Sequence, residues 1–318
     1  MATDTVAPIA KNEDSLRGFG FALTAYLFWG VLPLYMKAMA HIPATEVVAH
    51  RILWSVPVAG VVLLALGRMG DIKAALSSPR TVAMASLTAM LVTINWGTYV
   101  WSIGAGHSLD AALGYFINPL FSIALGALLL KEKLAPVQIV AICLAAAAVV
   151  ILTIEAGTLP WVALTLTLSW GFYAFFRKTL PVGANQGFFL EVLLLCIPAA
   201  LYILYLEARG EGHFYRTGMS DMALLLGCGL VTALPLMIFA NGAKLLKLST
   251  IGIMQYIAPT IVFLIAVFVF KEPFSTTQMI AFSLIWVGLV LYSWSMLRQS
   301  RAREQADMVS KSLIRAWR

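Results

Sequence analysis

From Gly18 to Leu297 the chain alternates long apolar blocks with short polar ones. The blocks recur at about 20 residues, the length an α-helix needs to cross a hydrocarbon core of roughly 30 Å. This pattern predicts about ten spanning helices. They run Gly18 to Ala40, Thr45 to Leu66, Thr81 to Gly104, Asp110 to Leu130, Pro136 to Thr153, Leu159 to Phe176, Gln186 to Leu206, Asp221 to Ala243, Thr250 to Phe270 and Gln278 to Leu297. The expected fold class is an all-α polytopic membrane protein.

Composition sharpens this reading. Of 318 residues, 61% are hydrophobic and 12% charged, and the mean hydropathy is +0.87. A soluble enzyme, a disordered chain, a coiled coil or a nucleic-acid-binding domain each needs more polar surface than that. Cys143, Cys196 and Cys228 all lie in apolar blocks without CxxC spacing. Neither a disulfide framework, a metal site nor a bound cofactor is expected. The polar start of the chain carries no apolar stretch ending in a small-residue cleavage site, so the first block is read as a retained spanning helix.

The charge of +7 is unevenly placed. An even number of spans leaves both termini on one side. Seventeen Lys and Arg, including Arg68, Lys73, Arg80, Arg177 and six in the tail from Arg298 to Arg318, fall on that side; Arg209, Arg216 and Lys271 are the three opposite. By the positive-inside rule both termini are cytoplasmic. The basic tail reads as a helix on anionic lipid, with membrane lipid as its partner.

The two halves of the chain resemble each other. Leu27, Trp29, Gly30, Lys37 and Pro57 recur as Leu168, Trp170, Gly171, Lys178 and Pro198 at a spacing of 141. Leu91, Val92 and Thr93 recur as Leu230, Val231 and Thr232 at a spacing of 139, and Pro119, Lys131, Glu132 and Gln138 as Pro259, Lys271, Glu272 and Gln278 at 140. A repeat over an odd number of helices enters the membrane from opposite sides, the inverted-repeat architecture of secondary transporters. Residues 1–17 form an N-terminal tail, 18–155 and 156–297 the two five-helix repeats, and 298–318 the C-terminal tail. Lys131-Glu132-Lys133 becoming Lys271-Glu272-Pro273 is a change the orientation rule favours.

No hydrolase, zinc or phosphate-loop signature is present, so an enzyme is disfavoured. Polar groups within spans are then the candidates, because a mid-bilayer charge costs about 2.5–3.5 kcal/mol on insertion scales. Glu46, His50 and Arg51 open the second span: they either bind an acidic group, exchange protons, or pair locally. Glu191, at the repeat position of His50, is either a proton carrier or the partner of a loop lysine. Pro119 and Pro259 each free a carbonyl beside Tyr115 and Asn118, or beside Gln255 and Tyr256, and are the candidate gating hinges. The aromatics Trp29, Tyr35, Trp96, Tyr99, Trp101, Trp170 and Tyr173, with Asn95, point to an amphipathic cavity for an organic solute with an apolar side and a polar head. The expected substrate-binding set is Trp29, Asn95, Tyr99, Trp101, Tyr115, Asn118, Trp170, Gln255 and Tyr256; His50, Arg51 and Glu191 are candidates for charge coupling.

Ala49-His50-Arg51-Ile-Leu-Trp54-Ser55, Asn95-Trp96, Gly106-His107, Leu113-Gly114-Tyr115-Phe116-Ile117-Asn118-Pro119-Leu120, Thr232-Ala-Leu-Pro-Leu236 and Gln255-Tyr256-Ile-Ala-Pro259-Thr260 resemble the RarD-type branch of the drug/metabolite transporter superfamily, with EamA-type repeats. The resemblance covers about Gly18 to Leu297. It implies a bacterial inner-membrane carrier of ten helices in two inverted repeats around a central cavity. It further implies export of small metabolites, amino acids including aromatic ones foremost. The partner is that small molecule, no nucleic acid is involved, and the protein is read as a monomer. Proton antiport and facilitated diffusion stay open at this stage, as do drug efflux, uptake, a channel and an intramembrane enzyme.

Overall fold

The protein is represented by a computed structural model that describes residues 15–131, 134–243, 245–246 and 248–316; over these it is helical and forms no strand. The helices are α1 (Leu16–Ala38), α2 (Ala44–Ala65), α3 (Met69–Leu76), α4 (Pro79–Ala105), α5 (Ser108–Leu130), α6 (Pro136–Ala156), α7 (Trp161–Thr179), α8 (Ala184–Arg209), α9 (Met219–Ala243), α10 (Leu248–Met254), α11 (Ile257–Leu264) and α12 (Thr276–Ala316), with a π turn at Ile265–Val269. Eight helical stretches are long and apolar enough to cross a membrane by length and composition, Thr250–Val269 counting as one. The remaining two rods, α4 with 27 residues and α7 with 19, are long enough but more polar. Their Asn, Ser, Thr, Trp and Tyr residues lower the hydropathy where the cavity described below needs them.

The expected blocks and the observed helices differ in three places. A short helix, α3, occupies the segment read as a loop; it buries Ile72 and Ala75, and Asp71 accepts a hydrogen bond from Gln186 Nε2 at 2.9 Å. The ninth block is broken at Gln255–Tyr256, where Gln255 Nε2 donates to the Gly252 carbonyl at 2.9 Å and so satisfies a group the break releases. By contrast α5 runs unbroken through Pro119. The tenth block and the basic tail form one continuous helix, α12. Met1–Asp14, Glu132, Lys133, Lys244, Lys247, Trp317 and Arg318 lie outside the described residues, and with them part of the expected charge clusters and most of the N-terminal tail.

Exchanging the two repeats maps one packing pair onto another. α1 packs along α9 as α7 packs along α4, and α5 along α7 as α11 along α1, while α2–α8, α6–α12 and α5–α11 pair with themselves. The correspondence reaches single side chains. A Cβ at Gly30 would stand 2.7 Å from Ile261, and one at Gly171 would meet Phe121, two contacts related by the repeat. Lys131 and Lys271, also repeat partners, are the described non-glycine residues with left-handed backbone, at φ 55° and 56°. Each ends the spanning helix preceding it.

Two apolar cores flank the centre. One joins α2, α8 and α9 around Ala59, Leu63 and Val192; the other joins α5, α6 and α12 around Leu113, Ala145 and Phe282. Small residues carry the closest approaches. Gly288 faces the Ala141 carbonyl with room of only 3.1 Å for a Cβ, and Gly114 lies against the backbone of Ala163. Such contacts stand in for the hydrophobic drive that lipid cannot supply between helices.

Candidate functional site

Between the cores lies a cavity of about 730 Å³, lined from both repeats. Its polar end is built by α2, α4, α5 and α9. Arg51 and Tyr115 each stand seven residues in from the start of their helices, and Tyr99 six residues from the end of its own. All three helix ends lie on the face of the α1–α2 loop, so these groups share a depth of about 10 Å. At its other end the cavity is bordered by Leu180, Val182 and Ala184 of the α7–α8 connection and by Ala243 at the end of α9. It therefore opens toward the α7–α8 face.

The opposite face is shut in layers. Met36, Met39, Ile103, Leu225 and Cys228 are buried between the polar end and the α1–α2 loop. Beyond them Tyr35 donates to the Leu224 carbonyl, Lys37 to the Ile103 carbonyl at 3.2 Å, and His41 meets Asp221 at 3.0 Å. Glu46 accepts from the backbone N–H of His213 and contacts its ring Nδ1, each at 2.7 Å. Glu272 accepts the backbone N–H groups of Ser108 and Leu109, each at 2.9 Å, at the start of α5. A carboxylate there meets the orphan donors and the positive end of the helix dipole.

Among the expected site residues, Trp29, Asn95, Tyr99, Tyr115, Asn118, Trp170, Gln255, Arg51 and Pro259 line the cavity. Trp29 and Trp170, repeat partners, face it from α1 and α7. Trp29 is held edge-on by Tyr26 and against Phe239, and Trp170 against Tyr173. Asn95 uses both ends of its amide: Nδ2 donates to the Leu166 carbonyl at 3.2 Å and to Ser169 Oγ at 3.1 Å, while Oδ1 accepts from the Tyr115 hydroxyl at 3.0 Å. It positions Tyr115. The Tyr99 hydroxyl and Asn118 Oδ1 are buried without a hydrogen-bond partner.

Arg51 is 4% exposed, and its guanidinium lies 4.9 Å over the Trp96 ring. Its Nε donates to Thr232 Oγ1 at 3.0 Å, and its Nη1 has no partner. The pairing expected among Glu46, His50 and Arg51 does not form, since Glu46 is turned to His213. His50 accepts from Trp54 Nε1 at 3.0 Å and stacks on Phe214, packed behind the cavity wall.

Glu191 is also set back from the cavity. Thr88 Oγ1 donates to it at 2.7 Å, Tyr173 at 3.2 Å, and its ion-pair partner is Arg177 at 3.3 Å in place of the expected loop lysine. Trp101 lies elsewhere: 39% exposed, it stacks on His107 and packs at a tilt against Trp161. Residues two apart point to opposite sides of a helix, so when Tyr99 faces the cavity Trp101 cannot. Tyr256 and Pro119 likewise fall outside the lining; Tyr256 packs against the α5–α6–α12 core.

Lining residues not singled out beforehand include Tyr26, Phe188, Phe239, Thr232 and Arg177. Thr232 had a signal, its place in a repeated Leu-Val-Thr triplet. Tyr26 and the two phenylalanines had none, because an aromatic in an apolar block reads the same whether it faces lipid, core or cavity.

The EamA-like transporter family model matches the chain twice, over residues 16–154 and 159–294. The chain belongs to the EamA-like transporter family. Within it the protein is a RarD-type member of the drug/metabolite transporter superfamily. It is 41% identical over 303 residues to Protein RarD of Streptomyces exfoliatus, covering 93% of this chain and 95% of that protein. It is 36% identical over 280 residues to Protein RarD of Escherichia coli K12, covering 88% and 95%. A crystal structure at 19% identity superposes with a TM-score of 0.57 over 88% of this chain and 98% of the other, a likeness of fold. The EamA-type protein is thus a multi-pass membrane transporter.

Proposed function

We propose that this transporter exports small metabolites, amino acids including aromatic ones foremost and with broad side-chain tolerance, across the bacterial inner membrane by alternating access. The observation that carries the reading is a cavity of about 730 Å³ lined by both repeats, open to one face and shut toward the other by several layers of side chains. A volume of this size suits a small organic solute. Its walls offer indole and phenol faces from Trp29, Trp170 and Tyr173, and polar groups from Arg51, Tyr99, Asn118 and Gln255. Broad tolerance follows from aromatic walls that impose area contact but few directional bonds.

The excess of Lys and Arg supports a cytoplasmic location for both termini and the α7–α8 face. In that orientation the cavity faces the cytoplasm and the α1–α2 face is the closed outer gate. Pro259, in the first turn of α11 just after the break, is the hinge on the cavity side; Pro119 supplies its counterpart within α5. No Asp or Glu lines the cavity among the described residues, which supports facilitated export over proton antiport.

The test is counterflow in proteoliposomes. Labelled phenylalanine should accumulate transiently against unlabelled phenylalanine with saturation, and Asn118→Leu and Gln255→Leu should each cut the initial rate by roughly tenfold, the loss of one hydrogen bond to a charged group. Conductance that rises without saturation would assign a channel. Unchanged counterflow in both variants would remove the two amides from the site.

A further inference from the structure

Among the described residues the cavity lining holds one cation with no carboxylate partner, Arg51. Arg177 also lines it, but that guanidinium is engaged by Glu191 at 3.3 Å and by the Ala184 carbonyl at 2.6 Å. Arg51 has no carboxylate within ion-pair distance among the described residues; it donates to the Thr232 hydroxyl and lies over the Trp96 ring, with the neutral Cys228, Tyr99 and Tyr115 also nearby. Burying an ionised group with only neutral partners is costly. A guanidinium cannot relieve that cost by losing its proton. Its Nη1 is buried with no partner, and the Tyr99 hydroxyl, also part of the lining, is a second buried donor with none.

A solute's negative head meets this end with a complete set of partners. A carboxylate accepts from both Arg51 and Tyr99, and the pair forms in a low-dielectric site where a charge-assisted bond is strong. A solute's ammonium finds no equivalent, since the same lining contains no carboxylate among the described residues. It would meet only the Asn118 oxygen and π faces, in the field of Arg51. Above this head the walls are Trp29, Trp96 and Trp170, which suit a flat apolar body.

We propose that the transporter selects aromatic carboxylates by their negative head, with Arg51 as the anchor and Tyr99 as the second donor, and that a solute's amino group contributes nothing to its affinity. The proposal rests on the reading of this cavity as the solute site. It makes amino acids acceptable solutes on account of their carboxylate alone. The same cavity should then take their deaminated counterparts at least as well.

Binding to the full-length protein in detergent is read by the quenching of tryptophan fluorescence, for which Trp29, Trp96 and Trp170 are internal reporters. The probes share one body: 3-phenylpropionate, phenylalanine, phenethylamine and the neutral 3-phenylpropanamide. We expect the two carboxylates to bind within a few-fold of each other and the amine and amide to be roughly 10- to 100-fold weaker, the value of a hydrogen-bonded charge pair. Arg51→Gln should bring 3-phenylpropionate down to the level of the amide and leave the amide unchanged. Arg51→Lys, which keeps the charge without the planar fork, should fall between. The comparison of probes on the unaltered protein needs no variant, so it stands whether or not Arg51→Gln folds. Amine or amide binding as tight as the acid would overturn the anion selection while leaving the cavity as the solute site. Failure of all four probes to bind would overturn both.

Discussion

Asn95 shows how one residue can matter to the cavity without offering it a group. Both ends of its amide are committed, to Leu166 and Ser169 on α7 and to the Tyr115 hydroxyl on α5. Replacing it by Leu leaves the buried Tyr115 hydroxyl without its acceptor and removes the amide that ties α4 to Leu166 and Ser169 of α7. Asn95→Leu should therefore lower stability by about 1–3 kcal/mol, whereas Tyr115→Phe, which leaves only one unused amide oxygen, should cost about 1 kcal/mol. Thermal unfolding in detergent checks the order; equal midpoints would mean that the relay is not structural. At this scale the sequence disclosed residue types well and directions poorly. Asn95, Tyr99, Tyr115 and Asn118 are legible because polar atoms in an apolar block demand partners. Trp101 misled because an aromatic is at home in either environment, and only the angle between positions 99 and 101 separates them. The partners of Glu46 and Glu191 are not legible in the sequence, being His213 from the α8–α9 connection and Arg177 from α7.

Among elements, the start of α5 carries the clearest device. Glu272 follows the left-handed Lys271 and returns its carboxylate to the first N–H groups of α5, tying the end of the ninth span to the closed face. A carboxylate on a helix N-terminus contributes about 0.5–2 kcal/mol. Glu272→Ala should weaken this closure and raise the population open to the α1–α2 face by roughly 2- to 30-fold. The chain contains its own reporter. Cys228 is fully buried in the closing layer, against Met39. With Cys143 and Cys196 replaced by Ala, its labelling by an impermeant maleimide from that face should accelerate by the same factor; an unchanged rate would show that Glu272 does not hold the gate. A second element-scale expectation concerns Gly114, where a Cβ would stand 2.7 Å from the Ala163 carbonyl oxygen. Since the obstacle is backbone, Gly114→Val should separate α5 from α7 and abolish the folded protein, read as loss of the monodisperse species on size exclusion. Helix positions were legible from block length, and the break at Gln255–Tyr256 was not. Pro259 and Pro119 look alike in sequence, yet α5 runs on where α10 stops, because the outcome depends on whether local groups satisfy the freed backbone.

For the whole molecule, the inverted repeat was the most legible feature, since Trp29 and Trp170, Gly30 and Gly171, and Pro119 and Pro259 keep one order and nearly one spacing. What the spacing cannot carry is which of two related packings is tight. α2 lies along α9 far more extensively than its repeat equivalent α8 lies along α4, so the pseudo-symmetry is broken in favour of closure at the α1–α2 face. The proposed alternating-access cycle would exchange those two packings. The carrier then returns unchanged, so the net charge moved per cycle is that of the solute, and the buried Arg51 cancels over the round trip. A zwitterionic amino acid moves none. A monoanionic carboxylate leaving a negative interior gains about 2.3 kcal/mol per 100 mV, a drive that needs no coupled ion. Proteoliposomes on a solid-supported membrane should therefore give a capacitive current on a jump of 3-phenylpropionate and none on a jump of phenylalanine, although both enter counterflow. The neutral acid crossing the lipid carries no charge, so it adds nothing to the current. A current of equal size with phenylalanine would require an ion moving with the solute and would end the uncoupled scheme. The absence of current with either solute, with counterflow intact, would mean that the carboxylate travels with a compensating proton, and the carboxyl that touches the cavity lining is Glu191, buried behind Tyr173 and Arg177.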